Sequence, residues 1–380
     1  MTLALKNECS GCGACVAVCP LRCIDMTEDE EGFLYPKIDH SRCVRCRKCQ
    51  DACQAIKKPL FLEAIGTYAA RAREDGIRKE SSSGGLFTLL ARWVLSSGGV
   101  VFGAALNENL EAVHRFADCE ASLSALRGSK YLQSRIGDAF VQADQFLRAG
   151  RKVLFTGTPC QIAGLKNFLG RQEDELICVD IVCHGVPSQK AWRSYVTELE
   201  EAAGTKLESF NFRDKSDGWR GYRVTARFAN GTSYSKKVNQ DPFMWGYLSN
   251  LYMRPSCHLC YKNSAADLTL GDCWGAETLA PKLDDDTGTS LVMIRSEKGR
   301  KAFEAVARGL EREAISYSDA LRHNASVCSP AEKSKNRQKF FKSQQPFIQT
   351  VERLTKMTYI QTWKLRFRAL KQKMEARRRK

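Results

Sequence analysis

From residue 60 to about residue 330, short apolar runs rich in β-branched residues alternate with stretches whose apolar positions have helical spacing. The first pattern is typical of buried strands and the second of amphipathic helices. We predict strands at residues 152–156 and 176–182, and helices at residues 86–95 and 161–168. This alternation predicts an α/β architecture for the larger part of the chain.

The first 58 residues follow neither pattern and are dominated by cysteine. The chain holds 17 cysteines, and eight of them form two runs with the spacing C-x2-C-x2-C-x3-C. Two-residue gaps let three thiolates bind one cubane, while the fourth cysteine of each run reaches the other cluster. The runs predict two 4Fe-4S clusters, one held by Cys9, Cys12, Cys15 and Cys53 and the other by Cys43, Cys46, Cys49 and Cys19.

Zinc is the alternative for these two cysteine runs. Thiolates are soft ligands that suit iron–sulfur clusters, and no histidine stands at ligand spacing here to indicate a zinc finger. Cys23, close to the first run, is interpreted as a small packed residue. Residues 3–58 resemble bacterial dicluster ferredoxins, so we assign residues 1–58 to a domain of that kind, which moves electrons one at a time.

Four more cysteines are candidates for a third 4Fe-4S cluster. Cys160 and Cys183 each follow the end of a predicted strand, at the edge where open α/β sheets bind ligands. Cys257 and Cys260 form a C-x2-C pair in a loop, and four thiolates suffice for one cluster. Buried structural cysteines and a zinc site are the alternatives, and Cys273 is the competing fourth ligand.

Two segments of the larger domain are rich in hydrogen-bond donors. The Ser-rich stretch 81–85 precedes a predicted helix, so it is interpreted as an N-cap whose exposed N–H groups can hold a phosphate. The stretch 127–134 contains Lys130 and Tyr131, which offer a positive charge and a stacking ring to a flavin. A plain helix cap and a solvated loop are the respective alternatives.

The net charge of +16 suggests a nucleic-acid-binding protein, but its distribution argues against that class. Residues 353–380 hold eleven Lys or Arg against one acid. Apolar residues from Ile360 to Met374 recur there at spacings of three and four, so we assign residues 331–380 to a basic amphipathic helical tail. The tail predicts contact with an anionic membrane surface or a protein partner, with packing against the domain as the alternative.

The composition also bears on the compartment. The longest uncharged run has 15 residues, which is too short to span a bilayer, and the N-terminus shows no export signal. Clustered cysteines in such a chain favour metal over disulfides. We therefore expect a cytoplasmic protein, with the tail as the means of peripheral attachment to the inner membrane surface.

Six short motifs, in this order, make residues 60–330 resemble the beta subunits of coenzyme F420 hydrogenase and F420-dependent dehydrogenases. They are Ser83-Gly84-Gly85, Gly128-Ser129-Lys130-Tyr131, Gly157-Thr158-Pro159-Cys160-Gln161, Cys183-His184-Gly185, Cys257-x2-Cys260 and the segment from Asp267 to Gly275. The resemblance implies FAD in this domain and an iron–sulfur cluster at its later cysteines. The cofactor-binding candidates are Ser82, Ser83, Gly84, Gly85, Gly128, Ser129, Lys130, Tyr131, Thr156, Gly157 and Thr158.

The resemblance implies an oxidoreductase that passes electrons between a hydride carrier and 4Fe-4S clusters through FAD, since a flavin links two-electron to one-electron transfer. Coenzyme F420, a ferredoxin or a nicotinamide carrier is the expected exchange partner. Two alternatives stay open: a reductase in envelope polysaccharide synthesis, and a non-catalytic electron-transfer subunit of a larger complex. No residue is assigned as catalytic.

Overall fold

The computed structural model describes residues 3–355 of the chain. The strands in that range are β1 (Ile24–Glu28), β2 (Leu34–Ile38), β3 (Gly66–Ala72), β4 (Val100–Leu106), β5 (Ala112–Ala117), β6 (Val153–Gly157), β7 (Leu176–Ile181), β8 (Leu207–Asp214), β9 (Arg223–Phe228), β10 (Ser233–Lys237), β11 (Leu268–Asp272), β12 (Ser290–Ile294) and β13 (Leu310–Ala314). The helices are α1 (Ala14–Ala17), α2 (Lys48–Asp51), α3 (Asp75–Lys79), α4 (Leu86–Ser96), α5 (Glu120–Leu123), α6 (Ala139–Arg148), α7 (Pro159–Leu169), α8 (Gln189–Ala203), α9 (Pro242–Leu248), α10 (Ala276–Leu279), α11 (Glu297–Ala305), α12 (Tyr317–His323), α13 (Arg337–Phe341) and α14 (Phe347–Thr355).

Eight strands form one mixed sheet in the order β13-β3-β12-β11-β7-β6-β4-β5. The inner strands β4, β6, β7 and β11 run parallel, and antiparallel strands complete both sides. Val153, Leu154 and Phe155 of β6 are fully buried, because a parallel strand inside such a sheet is covered on both faces. The predicted α/β class is confirmed, and so are β6, β7, α4 and α7, with bounds that differ by one or two residues.

A smaller antiparallel sheet, β10-β9-β8, contributes to a second core. Trp192 and Tyr195 of α8 pack there against Phe210 and Phe212 of β8 and against Phe243 of α9. Aromatic side chains bury large apolar areas, so this small sheet and its helices are held firmly to each other.

Residues 331–355 belong to this second core. Ala331, Phe347 and Val351 are buried in it, and Glu198 of α8 accepts hydrogen bonds from the backbone N–H groups of Phe347 and Ile348 at the start of α14. A domain boundary at residue 330 would therefore divide a packed unit. The apolar repeat predicted for residues 360–374 lies outside the described residues. Within residues 3–355, no helix is both long and apolar enough to cross a bilayer.

The cysteine-rich N-terminal segment forms a hairpin of β1 and β2 and two one-turn helices. Helix α1 contains Cys15 and helix α2 contains Cys49, so each helix lies inside one cysteine run. Helix α1 packs against α7 of the larger domain. This arrangement brings the first cysteine run next to α7, the helix that follows β6.

Arg254 is the centre of the contact between the two parts of the chain. Its side chain is fully buried and donates hydrogen bonds to the carbonyl oxygens of Cys9 (2.8 Å) and Leu34 (2.9 Å) and to Oε1 of Gln133 (3.1 Å). The guanidinium also lies over the ring of Tyr35, 4.4 Å from its centroid. A buried charge is costly unless it is hydrogen-bonded, and here most of its bonds depend on the N-terminal domain being in place.

A second contact holds the tip of the hairpin. Gly32 packs so closely on α8 that an added Cβ would lie 2.6 Å from the backbone nitrogen of Lys190. Beside it, Glu31 accepts two hydrogen bonds from Arg337, one of them 2.9 Å long. The hairpin is therefore fixed both to the start of α8 and to the C-terminal segment.

We expect Arg254→Met to loosen this contact, because it leaves the carbonyls of Cys9 and Leu34 without donors. The free energy of unfolding should fall by about 3 kcal/mol. The control is Arg193→Gln, which removes an ion pair with Glu28 across the same contact. Because Arg193 is 42% exposed, its loss should cost less than about 1 kcal/mol. Anaerobic calorimetry measures both, and equal losses would contradict the role given to Arg254.

Candidate functional site

The turn between β6 and α7 positions Cys160. Thr158 is the N-cap of α7, and its backbone N–H donates to Oε1 of Gln161 at 3.0 Å, half of a capping box. Pro159 occupies the first helical position, where its missing N–H costs nothing. The Gly157 to Gln161 motif thus sets the direction of the Cys160 side chain.

A buried hydrogen-bond chain holds this turn to the sheet. Nε2 of Gln161 donates to Oγ of Ser134 at 3.0 Å, and Ser134 lies 2.9 Å from Nδ1 of His114. Nε2 of His114 is 2.9 Å from the carbonyl oxygen of Thr156. Burial lowers the pKa of His114 to about 4, so the ring is neutral near pH 7 and Nε2 carries the proton that Thr156 accepts.

Cys160, Cys183, Cys257 and Cys260 converge at this edge of the sheet. Strands β6 and β7 are parallel neighbours, so the residues that follow them lie side by side. Burial raises the pKa of the Cys257 thiol to about 11, and the nearby charges of Cys160 and Cys260 add to that shift. The pKa of Cys183 is also raised, first by burial and then by Cys257, Cys160 and Cys260. Mutual effects of this kind indicate that the four thiols lie in one region, and a Cβ built on Gly185, two residues after Cys183, would be 3.3 Å from Sγ of Cys257.

Two backbone donors point at these sulfur atoms. The N–H of Val186 lies 3.4 Å from Sγ of Cys257, and that of Lys262 lies 3.5 Å from Sγ of Cys260. The hydroxyl oxygen of Thr158 is 3.2 Å from Sγ of Cys160, and its proton is donated to Oε1 of Gln161 at 3.1 Å. Hydrogen bonds to cysteine sulfur stabilise thiolate ligands and raise the reduction potential of a bound cluster.

The other residues near this set have different partners. Cys273 is buried in the core beside Ala69 and Ala276, and the charges that act on its thiol are those of acidic residues rather than of cysteines. His184 contacts Asn250 through Nε2, and His258 contacts the carbonyl of Ala331 through Nδ1. Each ring therefore has one nitrogen bonded away from the sulfur atoms.

The N-terminal cysteines line two recesses. The first encloses about 370 Å³, solvent-open space included, and its cysteines are Cys9, Cys12, Cys15 and Cys53. The second encloses about 310 Å³, and its cysteines are Cys19, Cys23, Cys43, Cys46 and Cys49. The fourth cysteine of each run thus lines the recess of the other run, and the two ligand sets stay a prediction. Among residues 3–355, no three Cys, His, Asp or Glu side chains are arranged to hold a single metal ion.

The first recess lies directly against the Cys160 helix. A Cβ built on Gly164 of α7 would be only 3.0 Å from Sγ of Cys12. Burial raises the pKa of Cys12 to about 12, and the charge of Cys160 adds to that shift. The two sets of cysteines are therefore neighbours across the contact between the domains.

The two segments predicted to bind flavin meet in the structure. Oγ of Ser129 donates to Oγ of Ser82 at 2.8 Å, although the residues are 47 positions apart. The N-cap interpretation of residues 81–85 is wrong in one respect: the N-cap of α4 is Gly85, with φ of +90°, and no side chain caps the helix. Ser83 instead donates to the carbonyl of Thr289.

Lys130 and Tyr131 are both held in place. Nζ of Lys130 donates to the carbonyl oxygens of Ala125 and Arg127, and burial lowers its pKa to about 7. The ring of Tyr131 packs on Phe212 and on Tyr247, with centroids 6.0 and 5.3 Å away. The hydroxyl of Tyr247 donates to the carbonyl of Gly185, which connects this segment to the Cys183 turn.

Arg213 and Lys215 complete this site and have no motif in the sequence. Nη1 of Arg213 pairs with Asp272 at 2.5 Å, and the guanidinium lies over the rings of Tyr222 and Trp274. Nε and Nη2 of Arg213 are buried without a hydrogen-bond partner. Nζ of Lys215 donates to the carbonyl oxygens of Arg78, of Thr287 at 2.7 Å and, in the Ser-rich turn, of Ser83 at 3.4 Å. Unpartnered buried donors between aromatic rings fit an aromatic, anionic group such as a flavin nucleotide.

The neutral state of His114 predicts a pH dependence of stability. Its pKa is lower in the folded chain than the ordinary 6.5, so this contribution is complete above pH 6.5 and is lost as pH falls towards about 4. The loss should approach about 3 kcal/mol. His114→Gln should remove this part of the pH profile of the unfolding midpoint, whereas His40→Gln, at an exposed position, should keep it. An unchanged profile in His114→Gln would contradict the prediction.

Two family models match the chain. Residues 8–55 match the 4Fe-4S dicluster domain, and residues 150–318 match the C terminus of the beta subunit of coenzyme F420 hydrogenase/dehydrogenase. The first match covers the two recesses. The second covers the turns that carry Cys160, Cys183, Cys257 and Cys260.

Individual proteins are similar over longer stretches. An uncharacterized protein of Methanocaldococcus jannaschii is 26% identical over 200 residues, which are 45% of this chain and 55% of that protein, so this chain spans little more than half of that relative's length. One of the subunits of the F(420)H(2) dehydrogenase of Methanosarcina mazei is 21% identical over 325 residues, 80% of this chain and 84% of the relative.

A solved structure, the F420-reducing [NiFe] hydrogenase complex of Methanosarcina barkeri, contains a chain that aligns with a TM-score of 0.48 and 18% identity, over 74% of this chain and 93% of that chain. The family matches describe two parts of the chain. A 4Fe-4S dicluster domain at residues 8–55 precedes a region, residues 150–318, that is related to the C terminus of coenzyme F420 hydrogenase/dehydrogenase beta subunits.

Proposed function

We propose that the protein carries electrons between a hydride carrier, coenzyme F420 or a similar cofactor, and a one-electron partner, through FAD and three 4Fe-4S clusters. The observation that carries the proposal is the close approach of Cys12 to Gly164 of α7, the helix that begins beside Cys160. This contact makes the dicluster domain a continuation of the larger domain's cysteine site.

The flavin would lie where the two serine-containing segments meet. Lys215 orders the Ser-rich turn, and the free donors of Arg213 face the aromatic rings beside it. When bound, FAD supplies the exchange between two-electron hydride transfer and one-electron transfer. In this proposal Arg213, Lys130 and Ser129 bind and orient the group, and the surrounding aromatic rings exclude water.

The third cluster would be held by Cys160, Cys183, Cys257 and Cys260. Four thiolates satisfy one cluster, and the N–H groups aimed at Cys257 and Cys260 would tune its potential. Tyr131 and Tyr247 form a packed route from the flavin segment to Gly185, next to Cys183. Electrons would then pass between the redox centres in this order: the flavin, the third cluster, the cluster that includes Cys12, and finally the cluster at Cys19, Cys43, Cys46 and Cys49.

The first test is an anaerobic preparation analysed for iron, sulfide and flavin and then titrated with reduced coenzyme F420. Wild-type protein should hold about twelve irons and one FAD, and reduced F420 should bleach the flavin. Cys257→Ser should hold about eight irons, because only the dicluster domain is then complete. The matched control is Cys273→Ser, which should keep about twelve, since Cys273 lies apart from the other cysteines.

Other results would change the proposal. About eight irons in wild-type protein would remove the third cluster. Full cofactor content without bleaching by reduced F420 would keep the electron route but exclude F420 as the hydride carrier.

Lys130→Ala should weaken flavin binding, because a hydrogen-bond donor proposed to face the flavin is lost. We expect a dissociation constant for FAD at least about tenfold higher. Lys206→Ala, which removes a lysine whose side chain is 85% exposed, is the control and should leave it unchanged. Fluorescence titration of the flavin-stripped protein measures both dissociation constants. Equal values in wild type and Lys130→Ala would show that Lys130 stabilises only its own loop and does not contact the flavin.

A further inference from the structure

The recess at the second cysteine run is surrounded by exposed positive charge. Arg42, Arg45, Arg47 and Lys48 alternate with its cysteines, and Arg22 lies on the adjoining loop; all five side chains are exposed. We call these five residues the basic face. At its centre Val44 is 68% exposed, and the ligand candidate Cys46 is exposed as well.

The two cysteine runs differ at equivalent backbone positions. In the first run, Gly11 and Gly13 have φ of +69° and +76°. In the second run, the equivalent residues are Arg45 and Arg47, with φ of +57° and +63°. This left-handed conformation favours glycine, and a residue with a Cβ adopts it at a cost. The second run therefore carries arginine where the backbone favours glycine.

The surroundings of the two runs explain part of this difference. A Cβ on Gly11 would lie 2.9 Å from Arg254, and one on Gly13 would lie 3.4 Å from Ile136, because the first run is docked on the larger domain. The second run faces outwards, so its side chains have space. Free space would allow any side chain at these positions. Residues 42–48 instead contain four basic residues and no acidic one, which indicates that the positive charge of this surface has a function.

The charge of the basic face is only slightly offset within the domain. Asp39 and Asp51 flank the run; the hydrogen bonds from Ser41, and to a smaller extent the charge of Arg42, lower the pKa of Asp39, while Nη2 of Arg42 donates to the carbonyl of Leu21 at 2.9 Å. In the described part of the chain, none of the five bases has a carboxylate oxygen within 4.0 Å. The face therefore presents an unpaired positive field around an apolar centre, the usual composition of a weak docking surface with a charged rim.

We propose that the basic face is the docking surface for an acidic one-electron carrier protein of the ferredoxin or flavodoxin kind. The inference rests on the proposed function, because it assigns the partner to the last cluster of the electron route. Complementary charge speeds association without requiring tight binding, which suits a carrier that must leave after one electron. An anionic membrane would also meet the charge but would give no role to the exposed cluster ligand.

The test measures electron transfer from photoreduced full-length protein to an oxidised, acidic plant-type [2Fe–2S] ferredoxin by anaerobic stopped flow. For wild-type protein, the second-order rate constant should fall at least about tenfold from low salt to about 0.5 M NaCl. Arg45→Gly with Arg47→Gly, which copies the first run, should be at least about tenfold slower at low salt and equal to wild type at high salt.

The controls separate docking from damage to the cluster. Arg42→Gln with Lys48→Gln leaves the two strained positions intact and should also slow the reaction. Arg227→Gln with Lys237→Gln removes two exposed charges from the small sheet and should leave the rate within about twofold of wild type. All variants should reduce duroquinone, a small neutral acceptor, at the wild-type rate, with unchanged iron content and EPR spectra.

Three outcomes would overturn the inference. Wild-type rates with ferredoxin in both basic-face variants would leave the proposed function standing and remove the docking surface. Equal slowing with duroquinone would show that the arginines act on the cluster itself. If the basic-face variants lose the binding to phosphatidylserine vesicles that wild-type protein shows, but keep the wild-type rate with ferredoxin, the basic face is a membrane contact. If wild-type protein reduces neither acceptor, the proposed function fails and the inference fails with it.

Discussion

The contact between the dicluster domain and the larger domain is centred on one buried guanidinium. Arg254 precedes the Cys257 loop by three residues and bonds to the backbone of Cys9, so a single side chain connects a cysteine of the third set to a cysteine of the first recess. An arginine is suited to this because its planar group donates in several fixed directions at once. Electron transfer needs short, constant separations, and a flexible linker between two independent domains would not provide them.

Two glycines allow the two parts of the chain to approach closely at this contact. Gly164 lets α7 approach Cys12, and Gly11 leaves room for Arg254 and Gln133. Each of these positions would force a neighbour to move if it carried a Cβ. The contact therefore combines close backbone approaches and the hydrogen bonds of Arg254 with an apolar cluster, in which Ala14 and Ala52 are buried together with residues of α6 and α7.

The sequence predicted those parts of the protein that depend on local spacing. The cysteine runs gave the exchange of fourth cysteines between the two recesses, and apolar runs gave β6, β7 and α7. Arg213 and Arg254 were not predicted, because a lone arginine in a sequence is interpreted as a surface residue until its neighbours in space are known. The order of the outer strands was equally out of reach, since β3 pairs with strands more than 200 positions later.

Composition misled in one region. The C-terminal fifty residues are so basic that their first half was assigned to a tail, yet Phe347 and Val351 are core residues. Helix α14 has an apolar face among its charged residues, and this face is buried only when α8 and α9 are folded beside it. The Ser-rich turn before α4 shows the same limit. Ser83 donates to the carbonyl of Thr289 and the N–H of Gly84 donates to Ser290 of β12, contacts that no local pattern encodes.

The bond between Arg337 and Glu31 has a consequence for biogenesis. During synthesis the first sixty residues leave the ribosome early, whereas the residue that fixes the hairpin tip is made near the end. The hairpin tip is therefore fixed only after nearly the whole described chain has been made, so the contact between its beginning and its end must form after residue 337 has been added.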